Sequence, residues 1–191
     1  MRDGIRNYLQ QSINAINNLI SNKTETIEKV ANTIISIYKN NGNIYICGNG
    51  GSGSIASHIC SDFNKYVNED LIKKINFICL NDCTTLISAI SNDLSYNDVF
   101  SYSIKGKITS LDALIVLSGS GSSQNILNVC KYANKIGSTT ISLSSFKNSI
   151  VKDITNLSLN FDLEDMQIAE DLFLTCGHML ARLIKENLSI N

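Results

Sequence analysis

Short β-branched and apolar runs alternate with helix-period segments along this chain, and no linker separates them. "NIYIC" (43–47), "KINFICL" (74–80), "SLDALIVLSG" (110–119) and "STTISLS" (138–144) read as strands, with "NLSLNF" (156–161) as a fifth. Ile5, Leu9, Ile13, Ile16 and Ile20 recur at three- and four-residue steps, the pattern of an amphipathic helix. Asn22, with Glu25 three residues later, marks the start of a second helix through "TIEKVANTIISIYKN" (26–40). Helical spacing returns in "ASHICSDFNKYV" (56–67), "CTTLISAISND" (83–93), "SQNILNVCKYANKIG" (123–137) and the closing segment 164–188. Gly137 stands where a helix-ending C′ glycine belongs. Strands that alternate with helices predict a parallel sheet covered on both faces, an α/β three-layer α/β/α sandwich. The expectation is one domain over residues 1–191, with residues 1–40 as an N-terminal helical region.

Composition narrows the function. At 191 residues, 43% hydrophobic and 17% charged, the chain suits one globular domain. A net charge of −1 with scattered Lys and Arg offers no basic face for nucleic acid. No apolar run reaches the roughly 18 residues of a membrane span, and the polar start "MRDGIRNYLQQ" is not a signal peptide. Six cysteines sit mostly in apolar segments without a Cys-x-x-Cys, which predicts reduced, buried thiols in a cytoplasmic protein.

In a parallel sheet, ligands bind beyond the C-terminal strand ends, where loops enter helices. Two such loops are rich in Gly and Ser: "CGNGGSGS" (47–54) and "LSGSGSSQN" (117–125). Each alone reads equally well as a plain turn. At matching strand ends, backbone N–H groups, hydroxyls and helix N-termini together suit a phosphate. Neither loop is a nucleotide fingerprint: the Walker lysine is missing, and no acidic residue follows Gly48, Gly50 and Gly53 at the ribose position. No nucleotide cofactor is expected. His58 and Asp62 share a helical face; His178 lies on the last helix, eight residues after Glu170. Lone helical histidines are commonly core or surface residues, but acidic companions at helical spacing also suit a divalent metal or an acid–base pair.

"GNGGS" with His58 six residues on, "SND" with "NDVF" at 91–100, and "LSGSGSSQN" resemble the sugar isomerase (SIS) domain, and within it the phosphoheptose isomerase branch. The resemblance covers nearly the whole chain. It implies isomerisation of sedoheptulose 7-phosphate to D-glycero-D-manno-heptose 7-phosphate by a cytoplasmic homotetramer with sites at subunit boundaries. By the same resemblance, Asn49, Gly50, Gly51 and Ser52 line the sugar phosphate site, and Ser118, Ser120 and Ser123 hold the phosphate. Gly119 stands where many relatives have Thr, and Asn92 and Asp93 meet sugar hydroxyls. His58, Asp62, Glu170 and His178 are the implied metal ligands, with zinc as the ion. Asp62 or Glu170 is the implied proton carrier and His178 the acid–base partner.

Departures from that pattern are Asp62 for the family's Glu, Glu170 for its Gln, and Tyr66 beside Lys65 where an Arg is common. Within one straight helix Glu170 and His178 stand about 12 Å apart, so an ion held by all four groups would draw those two from different chains. The alternative reading is a non-catalytic SIS module that binds a sugar phosphate or a protein partner such as a replication initiator. A phosphosugar-sensing regulator is the weaker rival, since no separate DNA-binding domain is present.

Overall fold

The computed structural model describes residues 1–189, so the last two residues of the expected domain lie outside the described residues. Two helices, α1 (Arg2–Asn22) and α2 (Thr24–Lys39), lead into alternating elements. These are β1 (Ile44–Gly48), α3 (Gly50–Lys65), β2 (Phe77–Cys79), α4 (Thr84–Asp93), α5 (Val99–Ile104) and β3 (Ala113–Ser118). They continue with α6 (Gln124–Ile136), β4 (Thr139–Ser144), α7 (Val151–Ile154), β5 (Leu157–Asn160) and α8 (Met166–Ser189). The sheet is parallel throughout, in the order β2-β1-β3-β4-β5, with Gly48 in register with Leu117 and Ser118 with Ser144.

Strand alternation sorts the core into two layers. Ile44, Ile46, Ile115, Leu117 and Leu143 face the helices α2, α3 and α8. Tyr45, Cys47, Leu114 and Val116 face the other way, against α5 and α6. The expected three-layer sandwich is the observed one.

Three expectations shift. Asn22 ends α1 instead of capping α2, and its amide donates to Asn18 Oδ1 at 2.6 Å. The strand expected at 74–80 is trimmed to Phe77–Cys79. Asn68 takes both backbone groups of Ile75, accepting from its N–H and donating to its carbonyl at 2.8 Å each, which removes them from the ladder. Helix α3 begins at Gly50 rather than 56, so most of the first glycine loop is the first turn of a helix. Burial of Ser52, Gly53 and Ala56 against the strand ends outweighs the low helix propensity of glycine. Gly137 does end α6, at φ 88°.

On the side away from the sheet, α1 exposes Ile5, Leu9, Ile13, Ile16 and Ile20 in one row. Beside it a groove of about 510 Å³ opens between α1, α2 and α8, lined by Leu19, Ile27, Ile35, Met179 and Leu183 among others. Among the described residues, no helix is long and apolar enough to cross a membrane.

All six cysteines are free, and all but Cys83 are buried. Burial pushes the thiols of Cys79, Cys130 and Cys176 up to about 12, far from a reactive thiolate. Titration of the folded protein with a thiol reagent at pH 8 should therefore modify one residue quickly, Cys83, and all six only after unfolding. A second fast thiol would contradict this packing.

Candidate active site

Helices α3 and α8 run side by side in the same direction, and their contacts define two stations. At the N-terminal station Ser52 Oγ donates to Glu170 Oε1 at 3.3 Å, and the Glu170 carboxylate lies against Gly51, where a Cβ would collide with it. Two turns along, His58 Nε2 lies 3.0 Å from His178 Nε2. Asp62 Oδ2 stands 3.5 Å from the first imidazole and 3.4 Å from the second. At this second station, Ile59 approaches to 2.5 Å of where a Cβ on Gly177 would be, so only glycine lets the helices come this close.

The first station opens into a cleft of about 270 Å³ lined by Asn49, Gly50, Ser52, Leu117, Ser118, Gly119, Ser120, Ser123, Met166 and Glu170. Both glycine–serine loops thus meet at neighbouring strand ends, as their positions predict. Ser123 is the N-cap of α6 and makes no side-chain capping bond, which leaves its hydroxyl and the helix N-terminus available to a ligand. Met166 fills the space beside Gly119, where a Cβ would strike its sulfur.

The second station holds His58, Asp62 and His178 from a single chain, their ligand atoms all within 4.8 Å of one another. Two imidazoles and a carboxylate are a zinc-type donor set. Ligands at about 2.0–2.2 Å from a tetrahedral ion stand roughly 3.4 Å apart, so the observed 3.0–3.5 Å spacings fit such an ion. Each of these histidines is 52% exposed at its side chain, so the group is open to solvent.

Not every expected residue joins these stations. Glu170 of the same chain is absent from the His58–Asp62–His178 group, because it is engaged with Ser52 in the cleft. Asn92 and Asp93 end α4, are exposed and pair with each other at 2.8 Å rather than lining the cleft.

Other residues do work that sequence reasoning missed. Asn49 and Asn125 exchange amide hydrogen bonds at 2.9 and 2.8 Å, tying one loop to the other, and the Tyr96 hydroxyl donates to Asn49 Oδ1 at 2.9 Å. Asn81 clasps both backbone groups of Gly48, at 3.2 and 2.8 Å. Lys185 covers the Tyr66 ring at 4.3 Å and pairs with Glu69 and Asp70 at 3.1 Å each, so a cation does stand beside Tyr66. The asparagines carry no distinguishing spacing in an Asn-rich chain. Only their place, one or two residues after a strand or one residue into a helix, could have singled them out.

The chain is similar in sequence and in fold to known proteins. The family model of the SIS domain matches residues 7–145. A phosphoheptose isomerase of Thermodesulfovibrio yellowstonii is 30% identical over 187 residues, 97% of this chain and 92% of that protein. A phosphoheptose isomerase structure from Francisella tularensis superposes with TM-score 0.91 at 24% identity, covering 96% of this chain and 97% of that one. One from Neisseria gonorrhoeae superposes with TM-score 0.90 at 21% identity, covering 97% and 98%. Both share this fold.

Replacing Gly177 by Val should force α3 and α8 apart, at a cost of about 1–3 kcal/mol. A lower Tm is expected, together with weaker binding of Zn²⁺ by the folded variant. A variant with unchanged Tm and zinc affinity would show that the close approach does not hold the histidines together.

Proposed function

We propose a specific reaction for this chain, which belongs to the SIS domain family and, within it, to the phosphoheptose isomerase branch of phosphosugar isomerases: the interconversion of sedoheptulose 7-phosphate and D-glycero-D-manno-heptose 7-phosphate. The observation that carries it is the pairing of a hydroxyl-rich cleft at one end of α3 with a two-histidine, one-carboxylate group at the other. A protein that only binds a sugar phosphate has no need of the second station.

The phosphate is held by Ser118, Ser120 and Ser123 and by the N-terminus of α6, and the sugar extends toward Glu170. Gly50 lets the ligand approach the backbone at the start of α3. Isomerisation moves one proton. A carboxylate takes it from C1 of the ketose while the C2 oxygen gains a proton, giving the cis-enediol. Return of a proton to C2 and loss of one from O1 gives the aldose. Glu170 in the cleft, or Asp62 beside His178, carries the carbon-bound proton, and His178 serves the oxygens. His58, Asp62 and His178 would hold a divalent ion, zinc by donor chemistry; when bound it supplies Lewis-acid polarisation of the carbonyl.

The two stations lie about 12 Å apart along α8. The cleft of one protomer would therefore be completed by the exposed triad of a neighbour. The exposed apolar row of α1 supplies the contact surface for a homotetramer.

Two predictions test this reading. Ser120→Ala with Ser123→Ala removes two hydrogen bonds to a charged group at about 1.5–3 kcal/mol each. KM for sedoheptulose 7-phosphate should rise at least about 100-fold with folding intact; unchanged KM removes that loop as the cradle. Subunit exchange between a Glu170→Ala protein and a His178→Ala protein should restore about a quarter of the wild-type rate at random mixing. Exchange between Asp62→Ala and His178→Ala should restore none, because those two groups belong to one chain's triad. The reverse pattern would refute the shared site.

A further inference from the structure

The loop that follows β3 rests on the loop that follows β4. The second donates three backbone N–H groups into the first: Ser145 and Phe146 to the Gly119 carbonyl, each at 3.0 Å, and Val151 to the Gly121 carbonyl at 2.9 Å. The Ser118 carbonyl accepts from the Gly121 N–H at 3.1 Å. These three carbonyls are thus engaged within the protein rather than offered to an anion. Gly121 makes its turn at φ 62°, and a Cβ there would overlap Ser149 Oγ, so the Ser149 hydroxyl lies directly against the turn. Ser149 is 1% exposed. Among the described residues, its Oγ is the one buried side-chain nitrogen or oxygen without a hydrogen-bond partner. Its neighbours are satisfied: Ser144 Oγ accepts from Asn160 at 2.8 Å, and Ser145 Oγ donates to the Leu163 carbonyl. A buried hydroxyl left alone is destabilising and calls for a reason.

We propose that Ser149 is a positioning residue of the phosphate cradle: it holds Gly121 in its left-handed turn, and its unpaired O–H serves the state in which the loop carries a dianion. A hydroxyl is a rotor whose hydrogen turns to suit its surroundings. No protein acceptor fixes the O–H of Ser149, so it is free to turn its positive end toward an anion held by the loop. Its dipole acts in a buried place of low dielectric, where water screens it little. The contribution therefore grows with the charge of the ligand. A residue that only supports the shape of the loop would act alike on any ligand of the same shape. The empty protein is less stable for the lone hydroxyl, and the bound phosphate offsets that loss. This rests on the cradle assigned above, and the experiment separates the two.

The test compares wild-type and Ser149→Ala protein by calorimetry at pH 8, above the second phosphate pKa of about 6. Two probes share a skeleton and a tetrahedral head: D-glucitol 6-phosphate, a dianion, and D-glucitol 6-sulfate, a monoanion. Neither has a carbonyl to isomerise. Ser149→Ala should fold with a Tm equal to or above that of the wild type, because the lone hydroxyl is gone. It should bind the phosphate ester at least about fivefold more weakly and the sulfate ester less than about twofold more weakly. With sedoheptulose 7-phosphate, KM should rise while kcat stays within about twofold. Equal losses for the two esters would show that Ser149 only shapes the loop, and unchanged affinities that it does not act on the ligand at all. A lowered Tm would show that the hydroxyl is partnered in the folded protein. Any of these three results overturns the inference while the cradle stands. If wild-type protein binds neither ester, the cradle falls and this inference with it.

Discussion

The parallel contact between α3 and α8 is the constraint on which the site depends. It allows the Gly51 backbone to meet Glu170 at one end and His58 to meet His178 at the other, with Ile59 seated against Gly177 beside the histidines. Both helices pack on the same layer of the sheet, through Ala56, Ile59 and Phe63 on one and Leu172, Phe173, Cys176 and Leu180 on the other. Hydrophobic burial therefore sets the distances among groups that could not hold themselves together. Two imidazoles and a carboxylate that are partly exposed would gain little from one another in water.

The cleft is built on the same plan from different parts. β1 and β3 are hydrogen-bonded neighbours in register, so the loops leaving Gly48 and Ser118 emerge side by side. The amide pair of Asn49 and Asn125 then fixes the two loops to each other, with Asn125 almost wholly buried. A buried amide pair with its hydrogen bonds made is costly to break, because each partner left behind is unsatisfied. Ser118 and Ser120 accept from the N–H groups of Gly121 and Ser122, which leaves their O–H groups to donate to a ligand.

Much of this was legible in the sequence. Period changes between strand and helix gave the order of elements and the sheet type, and the position of the two loops after β1 and β3 placed the cleft. The pairing of His58 with Asp62 followed from helical spacing, and the resemblance to SIS domains pointed to His178 as their companion. The boundary at Gly50 was not legible, because local propensity argues against a helix there and tertiary packing imposes one. The separation of Glu170 from the metal-type group was foreseen from helix rise alone. Its engagement with Ser52 was not, since that contact spans 118 residues of sequence. The roles of Asn125, Tyr96 and Met166 likewise depend on contacts between distant segments.

The most direct test of the account is an NMR time course of the protein with sedoheptulose 7-phosphate in D₂O, with Zn²⁺ supplied. Proton transfer by a carboxylate through an enediol predicts that the aldose phosphate appears and carries deuterium at C2, in at least part of the product. No aldose phosphate, or an aldose that retains protium fully at C2 as a hydride shift would leave it, would contradict the mechanism placed in this cleft.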